Sequence, residues 1–161
     1  MTIPEQQNLI DYDTYYNQRF GYSVKYPSNI LIPQPFPSNR DGQVFISHDK
    51  KIKMSVFGQF NVSENFDQCY QNRLVRKQQL GFVKYTQKKD TDFILFGNEN
   101  NLVFYEKTLF SQGNCLTLVI YYAPSLQPAF DLILAEISLS FKSVSQPQEE
   151  ISSQKEPLVF G

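Results

Sequence analysis

The chain has 161 residues, a length that fits one domain with a core large enough to need no disulfide or metal. Its 15 lysine and arginine residues nearly balance 16 acidic residues, which argues against a protein steered as a whole to nucleic acid or to an anionic membrane surface. The 14 phenylalanines and 10 tyrosines favour extended segments, because bulky side chains fit the pleated surface of a sheet. We therefore expect a strand-rich domain that meets any charged partner through a local patch.

The sequence contains no run of apolar residues that approaches the roughly 18–20 required by a transmembrane helix, so we expect no membrane span. Residues Met1 to Glu5 also lack the basic and apolar stretches of a secretory signal. Two locations stay open: the cytoplasm, or the exported and cell-envelope space with a signal already removed. No pattern in the chain indicates an oligomeric state.

The two ends of the chain are polar and lack hydrophobic periodicity. Ser, Gln, Glu and Pro dominate the last stretch, a composition that buries too little apolar surface to fold. We predict a flexible segment at 1–11, a single domain at 12–142 and a disordered tail at 143–161.

The first elements of the domain are marked mainly by proline. Asp13–Gln18 is predicted to form a short helical turn. Tyr22–Tyr26 is predicted to be a strand that ends at Pro27, which has no amide hydrogen for pairing. The next segment is predicted to be an irregular extended loop, because it contains three closely spaced prolines. These are Pro33, Pro35 and Pro37.

A β-hairpin is predicted next. Asp41-Gly42 is a turn signal that opens a strand over Gln43–Ser47, and His48–Lys50 is short enough to connect it to the following strand. That strand, Ile52–Phe60, has the clearest pattern of the chain, because apolar residues alternate along it. Its apolar face consists of Ile52, Met54, Val56 and Phe60.

Helical spacing replaces strand alternation after this hairpin. We predict one amphipathic helix over 66–80. Asn65 and Gln68 can cap its start, and Gly81 can supply a left-handed residue beyond its end. The apolar stripe of the helix comprises Phe66, Cys69, Tyr70 and Leu74.

Four further strands and a second helix complete the domain. Turns rich in Gly and Asn separate the strands, which predicts an antiparallel meander. The strands cover 82–87, 92–96, 102–110 and 115–122. The helix begins near Pro128, which suits a first helical turn. Its apolar residues recur at helical spacing: Phe130, Ile133, Leu134 and Ile137.

The chain then closes with Leu139 and Phe141. A helix with one apolar stripe must bury that stripe, and the only surface large enough here is a face of the sheet. The predicted class is therefore α+β, with an antiparallel sheet sandwiched by helices.

The chain resembles proteins of the PsbP-like (Mog-type) fold over about residues 12–142. The order of the helices and the meander matches that fold group. Four short motifs are also similar to that fold group. In chain order they are Phe20-Gly21-Tyr22-Ser23-Val24, Tyr26-Pro27, Asn39 with Asp41-Gly42 before a strand, and Val56-Phe57-Gly58 followed by Asn61.

This resemblance implies an α/β sandwich shared by a peripheral photosystem II subunit, a Ran-binding import factor and many small bacterial proteins. We expect this chain to be a small bacterial member. In this fold group the function is carried by partner surfaces. The resemblance therefore implies a non-enzymatic protein-binding or scaffold module.

The two cysteines permit one disulfide but do not specify it. Cys69 is expected on the buried face of the first helix. Cys115 lies in phase with Thr117, opposite the more apolar strand face that begins at Leu116. This phase favours two free buried thiols over a bridge, and both states stay open.

Catalytic and metal-binding patterns are sparse. His48 is the only histidine, and we interpret it as a solvated turn residue beside Asp49. One histidine and two distant cysteines cannot supply the three or four ligands of a zinc site. No glycine-rich phosphate loop is present either, so we predict no cofactor and no metal.

A local excess of positive charge is the strongest functional signal. Between positions 73 and 89 the sequence contains six basic residues and no acidic residue before Asp90. The simpler interpretation, which we favour for the charge itself, is a solvated helix face and strand edge guarded by lysines. The functional interpretation is a docking site for a protein partner with an acidic patch. The proline loop is the other candidate for such docking. This basic stretch consists of Arg73, Arg76, Lys77, Lys84, Lys88 and Lys89.

A second class of function stays open beside docking. A small enzyme could use carboxylates such as Asp41, Asp92 or Glu106. A protein that binds a small ligand is a further alternative. For the enzyme, two carboxyl groups must converge on a cleft with their pKa values pushed apart. Such convergence depends on the fold.

Overall fold

The computed structural model describes residues 10–35, 40–60 and 65–144. The predictions for the two ends of the chain at 1–9 and 145–161 lie outside this part. So do those that involve Pro37, Asn39 and Asn61.

The described residues form ten strands and two α-helices. The order is β1 (Tyr12–Asn17), β2 (Tyr22–Pro27), β3 (Leu31–Pro33), β4 (Gly42–Ser47), β5 (Ile52–Phe60), α1 (Phe66–Leu80), β6 (Phe82–Lys88), β7 (Asp92–Glu99), β8 (Leu102–Ser111), β9 (Asn114–Tyr122), α2 (Ala129–Ser140) and β10 (Lys142–Ser143).

Seven of these strands form one antiparallel sheet in the order β3-β4-β5-β9-β8-β7-β6. The remaining strands of the described chain form a smaller sheet in the order β1-β2-β10. Strands β6 to β9 follow one another in space as they do in sequence, which confirms the predicted meander. The class is α+β, also as predicted.

The large sheet buries both of its faces. On one face, α2 and the small sheet pack on alternate residues of β9, including Leu116, Leu118 and Ile120. On the other face, α1 covers a second core that contains Cys69 and Phe93. Period-two alternation in β9 therefore sends its side chains into two different cores.

The helix α1 has the predicted bounds. The Asn65 side chain accepts a hydrogen bond from the Gln68 backbone amide (2.9 Å), as expected for an N-cap. The prediction for Gly81 is wrong, because its φ of −167° is extended and not left-handed. A close approach to the neighbouring strand explains this glycine better, since an added Cβ would lie 2.2 Å from the Asn98 carbonyl oxygen.

The helical turn predicted at Asp13–Gln18 is wrong. Residues Tyr12–Asn17 form β1 and pair antiparallel with β2, from Tyr12 opposite Pro27 to Asn17 opposite Tyr22. The turn between them is closed by Asn17, whose side chain accepts the Phe20 amide (2.8 Å), and by Gly21 at φ 70°. Pairing with β2 decides the conformation of this tyrosine-rich segment, which has high strand propensity.

Three other boundaries differ from prediction. Leu31–Pro33 is the short edge strand β3, paired with β4, and not irregular loop. The α2 helix continues through Leu139 to Ser140, so only Phe141 of the predicted closing pair is buried. Ser143, placed in the disordered tail by the sequence, pairs with Tyr22 in β10.

The two cysteines form a disulfide, so the preference for free thiols is wrong. Their Cα atoms are 6.8 Å apart, and the bond joins α1 to β9. The phase of Cys115 was assigned correctly, but its face of the sheet is not solvent-exposed. The α1 helix covers that face and brings Cys69 onto it.

Strand β6 lies close against β7 at Gly97. An added Cβ at Gly97 would lie 1.9 Å from the Phe82 carbonyl oxygen. We therefore expect Gly97→Ala to push β6 away and lower the free energy of unfolding by about 1–3 kcal/mol, measured by urea titration. Thr86→Ala, on the exposed part of the same strand, is the control. Equal stability of the two variants would show that β6 is not packed this closely.

Candidate functional site

The six cations of the basic stretch divide into two groups in the structure. Arg73 and Lys77 point from α1 into the second core, and Lys77 is only 2% exposed. Arg76, Lys84, Lys88 and Lys89 are exposed. The sequence placed all six in one surface, whereas the fold turns two of them inward.

Arg73 makes a two-pronged ion pair with Glu106 on β8. Its Nε and Nη2 atoms donate to the two carboxylate oxygens at 2.5 and 2.8 Å. Burial opposes the charge of Arg73, but the bonds to Glu106 outweigh it, and the pKa of the guanidinium is raised. Glu106 is completely buried, so this pair is shielded from water and from salt.

Lys77 extends the same network one helical turn further along α1. Its Nζ atom lies 3.1 Å from Glu99 Oε1 and 3.8 Å from Glu106 Oε1, and it donates to the Tyr121 hydroxyl. The Tyr121 hydroxyl in turn donates to Glu99 (3.0 Å). We call Arg73, Lys77, Glu99, Glu106 and Tyr121 the charged cluster.

The charged cluster fastens α1 to the sheet. Two cations face two carboxylates, so the formal charges balance. Aromatic rings complete the shell: the Lys77 Nζ atom lies 4.7 Å from the ring centre of Phe104, and the Arg73 guanidinium lies 5.7 Å from that of Phe57. These cations are occupied inside the molecule and are not presented to a partner.

The carboxylates of the enzyme alternative do not converge. Asp41 precedes β4 and Asp92 begins β7, and three strands separate β4 from β7, or about 19 Å at the usual strand spacing. Glu106 faces α1 and is fully buried. The cleft with two carboxyl groups that an acid–base mechanism needs is therefore not formed by these residues.

The exposed cations lie along α1 and β6. Lys88 forms an ion pair with Asp67 and rests over the rings of Phe66 and Tyr70. Arg76, Lys84 and Lys89 have no carboxylate of the described residues within ion-pair distance. Cations without a direct ion pair to a described residue therefore remain on α1, within β6 and just after it.

Strand β6 is an edge of the large sheet and exposes aromatic residues beside these lysines. Phe82 is 65% exposed and Tyr85 is 53% exposed. A shift of register between Val83 and Tyr85 places Lys84 in a bulge. We call Phe82, Lys84, Tyr85, Lys88 and Lys89 the β6 surface.

A groove of about 300 Å³ runs from the β6 surface to α2. Aromatic and aliphatic side chains form most of its wall, and two polar groups lie at its α2 end. Burial and the nearby Asp131 carboxylate raise the pKa of Tyr122 to about 12, so this hydroxyl stays protonated. The lining residues are Tyr85, Ile94, Phe96, Tyr105, Tyr122, Gln127, Asp131 and Leu134.

A second depression, of about 490 Å³, lies at the start of β6. Its wall is more polar and includes the turn between β7 and β8. Phe82 belongs to it, so the β6 surface adjoins one recess at Phe82 and another at Tyr85. The lining residues are Gly81, Phe82, Asn98, Glu99, Asn100, Asn101 and Pro124.

Two other properties concern ligands and membranes. Among the described residues, no three His, Cys, Asp or Glu side chains are grouped so that they could hold a metal ion. Neither of the described helices is long and apolar enough to cross a bilayer.

Comparison with known proteins bears on the fold. The sequence matches no protein-family model and no curated protein. Its structure matches the solution structure of cyanobacterial PsbP (CyanoP) from Synechocystis sp. PCC 6803, with a TM-score of 0.64 and 12% sequence identity. The match covers 89% of this chain and 98% of that chain. The fold is PsbP-like.

The PsbP-like fold confirms the architectural part of the resemblance seen in the sequence. At 12% identity the likeness establishes the fold and does not transfer a function. Membership of the Mog-type subgroup and a bacterial source stay predictions. Within the PsbP-like fold of this chain, the β6 surface and its groove are features of the chain's own residues.

Proposed function

We propose that the protein is a non-enzymatic binding module that docks on the acidic surface of a partner protein through the β6 surface and Arg76. The observation that carries this proposal is the set of exposed cations Arg76, Lys84 and Lys89, none of which has a carboxylate of the described residues within ion-pair distance. Lys84 lies between the exposed residues Phe82 and Tyr85 of β6, and Lys89 follows the strand. Interfaces commonly combine a polar, charged rim with aromatic anchors in this way.

The lysines and the aromatic residues have different roles in this proposal. Unpaired surface cations attract an acidic partner over a distance of about 10 Å at ordinary salt, which mainly raises the association rate. Phe82 and Tyr85 supply apolar area that is exposed to water in the free protein and would be buried on docking. Charge therefore selects the partner, and the aromatic residues hold it.

The disulfide supports an oxidising location for this module. Bridges persist in exported and cell-envelope proteins and are rare where thiols are kept reduced. The bond between Cys69 and Cys115 is thus in line with the exported alternative. Protein isolated under thiol-blocking conditions from its native cells should contain the bridge.

Charge reversal of Lys84 and Lys89 tests the docking proposal. Partners are captured with the full chain at low salt and identified, and each purified partner is titrated against wild type and Lys84→Glu/Lys89→Glu. We expect the variant to bind about tenfold more weakly or worse, and the loss to shrink as salt rises. The melting temperature should change little, because neither lysine has an ion pair to a described residue that the substitution would remove.

The control is a second charge reversal on the small sheet. Lys25→Glu/Lys142→Glu also changes two exposed lysines by the same total charge, so it separates a local docking site from an effect of net charge. It should bind like wild type. Partners that bind both variants equally well, or that bind with no dependence on salt, would contradict the proposal.

A further inference from the structure

We propose that the partner binds as an extended segment that adds a strand to the outer edge of β6 and that contains both acidic and apolar residues. This inference rests on the proposed function and specifies the chemistry of the partner at the same surface. It depends on three features: the backbone of β6, the side chains on its two faces and the state of the other sheet edges.

The backbone of β6 has free hydrogen-bonding groups on its outer edge. The Lys89 amide donates to the Asp92 carbonyl (2.8 Å), so Lys89 faces β7. In an antiparallel pair such residues alternate with residues that face away. Gln87 therefore faces β7, whereas the amide and carbonyl groups of Thr86 and Lys88 face outward. These outward groups make no hydrogen bond to any residue that the structure describes.

Side chains above and below this edge differ in chemistry. Lys88 projects toward α1, where it lies over Phe66 and Tyr70. Tyr85 projects to the opposite face and lines the groove. Because successive side chains of an added strand also alternate between faces, a residue opposite Lys88 and a residue opposite Tyr85 lie on different faces.

This geometry sets the composition of the bound segment. Acidic residues suit the positions nearest Lys84 and Lys89, which have no ion pair to a described residue, whereas Lys88 is already paired with Asp67. Aromatic or aliphatic residues suit the face of Tyr85, where they can cover exposed rings beside the groove. A segment that contains both acidic residues and aromatic or aliphatic residues meets both requirements.

The other described edges of the sheets are less suited to this segment. Strand β3 has three residues and ends at Pro33, which has no amide hydrogen to donate. Strand β10 has only two residues. Strand β1 is longer, but Asp13 within it and Asp11 just before it make that edge acidic and would repel acids of the partner. Charge therefore directs an acidic strand to β6.

A short synthetic peptide tests the inference directly. The probe is an eight-residue peptide, blocked at both ends, that alternates glutamate with tyrosine and valine. It is titrated against the full chain by fluorescence polarisation, beside a twin with the same sequence in which alternate backbone amides are N-methylated. We expect the twin to bind at least about tenfold more weakly, because it can no longer pair with the strand.

Proline substitution tests the same edge from the protein side. Thr86→Pro removes one outward amide hydrogen, so peptide binding should fall while the melting temperature is largely kept. Thr14→Pro is the matched control. The Ser28 amide donates to the Asp11 carbonyl (2.8 Å), so Asp11 faces β2. By the same alternation Asp13 also faces β2, and the amide of Thr14 faces outward from β1. It should leave peptide binding unchanged.

Hydrogen exchange reports on the edge without any substitution. In the free chain the amides of Thr86 and Lys88 should exchange fast and that of Gln87 slowly, and the bound peptide should slow the first two. Equal binding of the N-methylated twin, or unchanged exchange at Thr86 and Lys88, would overturn strand addition. The docking proposal would still hold if Lys84→Glu/Lys89→Glu weakened binding of the native partner. If that variant bound the partner like wild type, both the docking proposal and strand addition would be refuted.

Discussion

Replacing Glu106 with glutamine is expected to lower the free energy of unfolding by about 3–5 kcal/mol, the usual cost of removing one partner from a buried ion pair. Glutamine has nearly the same shape as glutamate, so the packing of β8 against α1 is preserved. The charge balance is not preserved. Arg73 and Lys77 would then face Glu99 alone, with one positive charge in excess.

The expected size of this effect follows from the burial of the charged cluster. Glu106 has no exposed surface and Lys77 is 2% exposed, so water cannot replace the lost carboxylate without opening α1. The remaining amide oxygen can accept one hydrogen bond from Arg73, but it carries no charge. A residual positive charge in a poorly hydrated site is more costly than the loss of a neutral hydrogen bond.

Urea titration of Glu106→Gln and Glu136→Gln measures this effect. Glu136 lies on the exposed face of α2, so its replacement changes the net charge equally and should cost less than about 0.5 kcal/mol. A third variant, Arg73→Met/Lys77→Met/Glu106→Leu, removes three of the four charges of the cluster with similar side-chain volumes. We expect it to be more stable than Glu106→Gln. If the two glutamine variants unfolded alike, the cluster would not be a buried network.

Much of the architecture follows from local patterns in the sequence. Apolar spacing and the Asn65 cap predicted α1 with its observed bounds, and strand alternation predicted β5 and the meander. These elements were predictable because their periodicity and their termini indicate the same conformation. The segment at Asp13–Gln18 was misassigned because its conformation depends on pairing with β2, which is not visible in a short window.

The functional surface was predicted less completely, for a related reason. Charge was counted within one window of the sequence, yet the carboxylates that neutralise Arg73 and Lys88 are Glu106 on β8 and Asp67 at the start of α1. Distance along the chain hid these ion pairs. One signal was available: Glu106 lies within a strand whose other residues are largely apolar, and an acid in such a strand needs a cation.

The groove was not predicted from the sequence at all. It forms because α2 packs on β8 and β9, where Tyr105 contacts Ser138 and Tyr122 contacts Phe130, and leaves the face of the sheet next to Tyr85 uncovered. Tyr85 could be assigned to a strand but not to an exposed position. Residues that are distant in sequence but share a surface are identified only when the positions of the helices on the sheet are known.

Loss of the disulfide is expected to have the second large effect on stability. Replacing both cysteines in Cys69→Ala/Cys115→Ala should lower the free energy of unfolding by about 2–4 kcal/mol, since the bridge closes a long loop of the unfolded chain. The cysteines are 46 positions apart, and the enclosed segment contains most of α1 and all of β6 to β8. The bridge therefore restrains the same elements that form the charged cluster and the β6 surface.

Two measurements separate the bridge from the packing of the cysteine side chains. Unfolded, unreduced wild-type protein should show no free thiol, and reduction should reveal two. Reductant should then destabilise the wild type by nearly as much as the double substitution does, and should leave the alanine variant unchanged. Because α1 stays fastened by Glu106 in the reduced protein, we expect it to remain folded but to melt at a lower temperature. Two free thiols before reduction would refute the bridge.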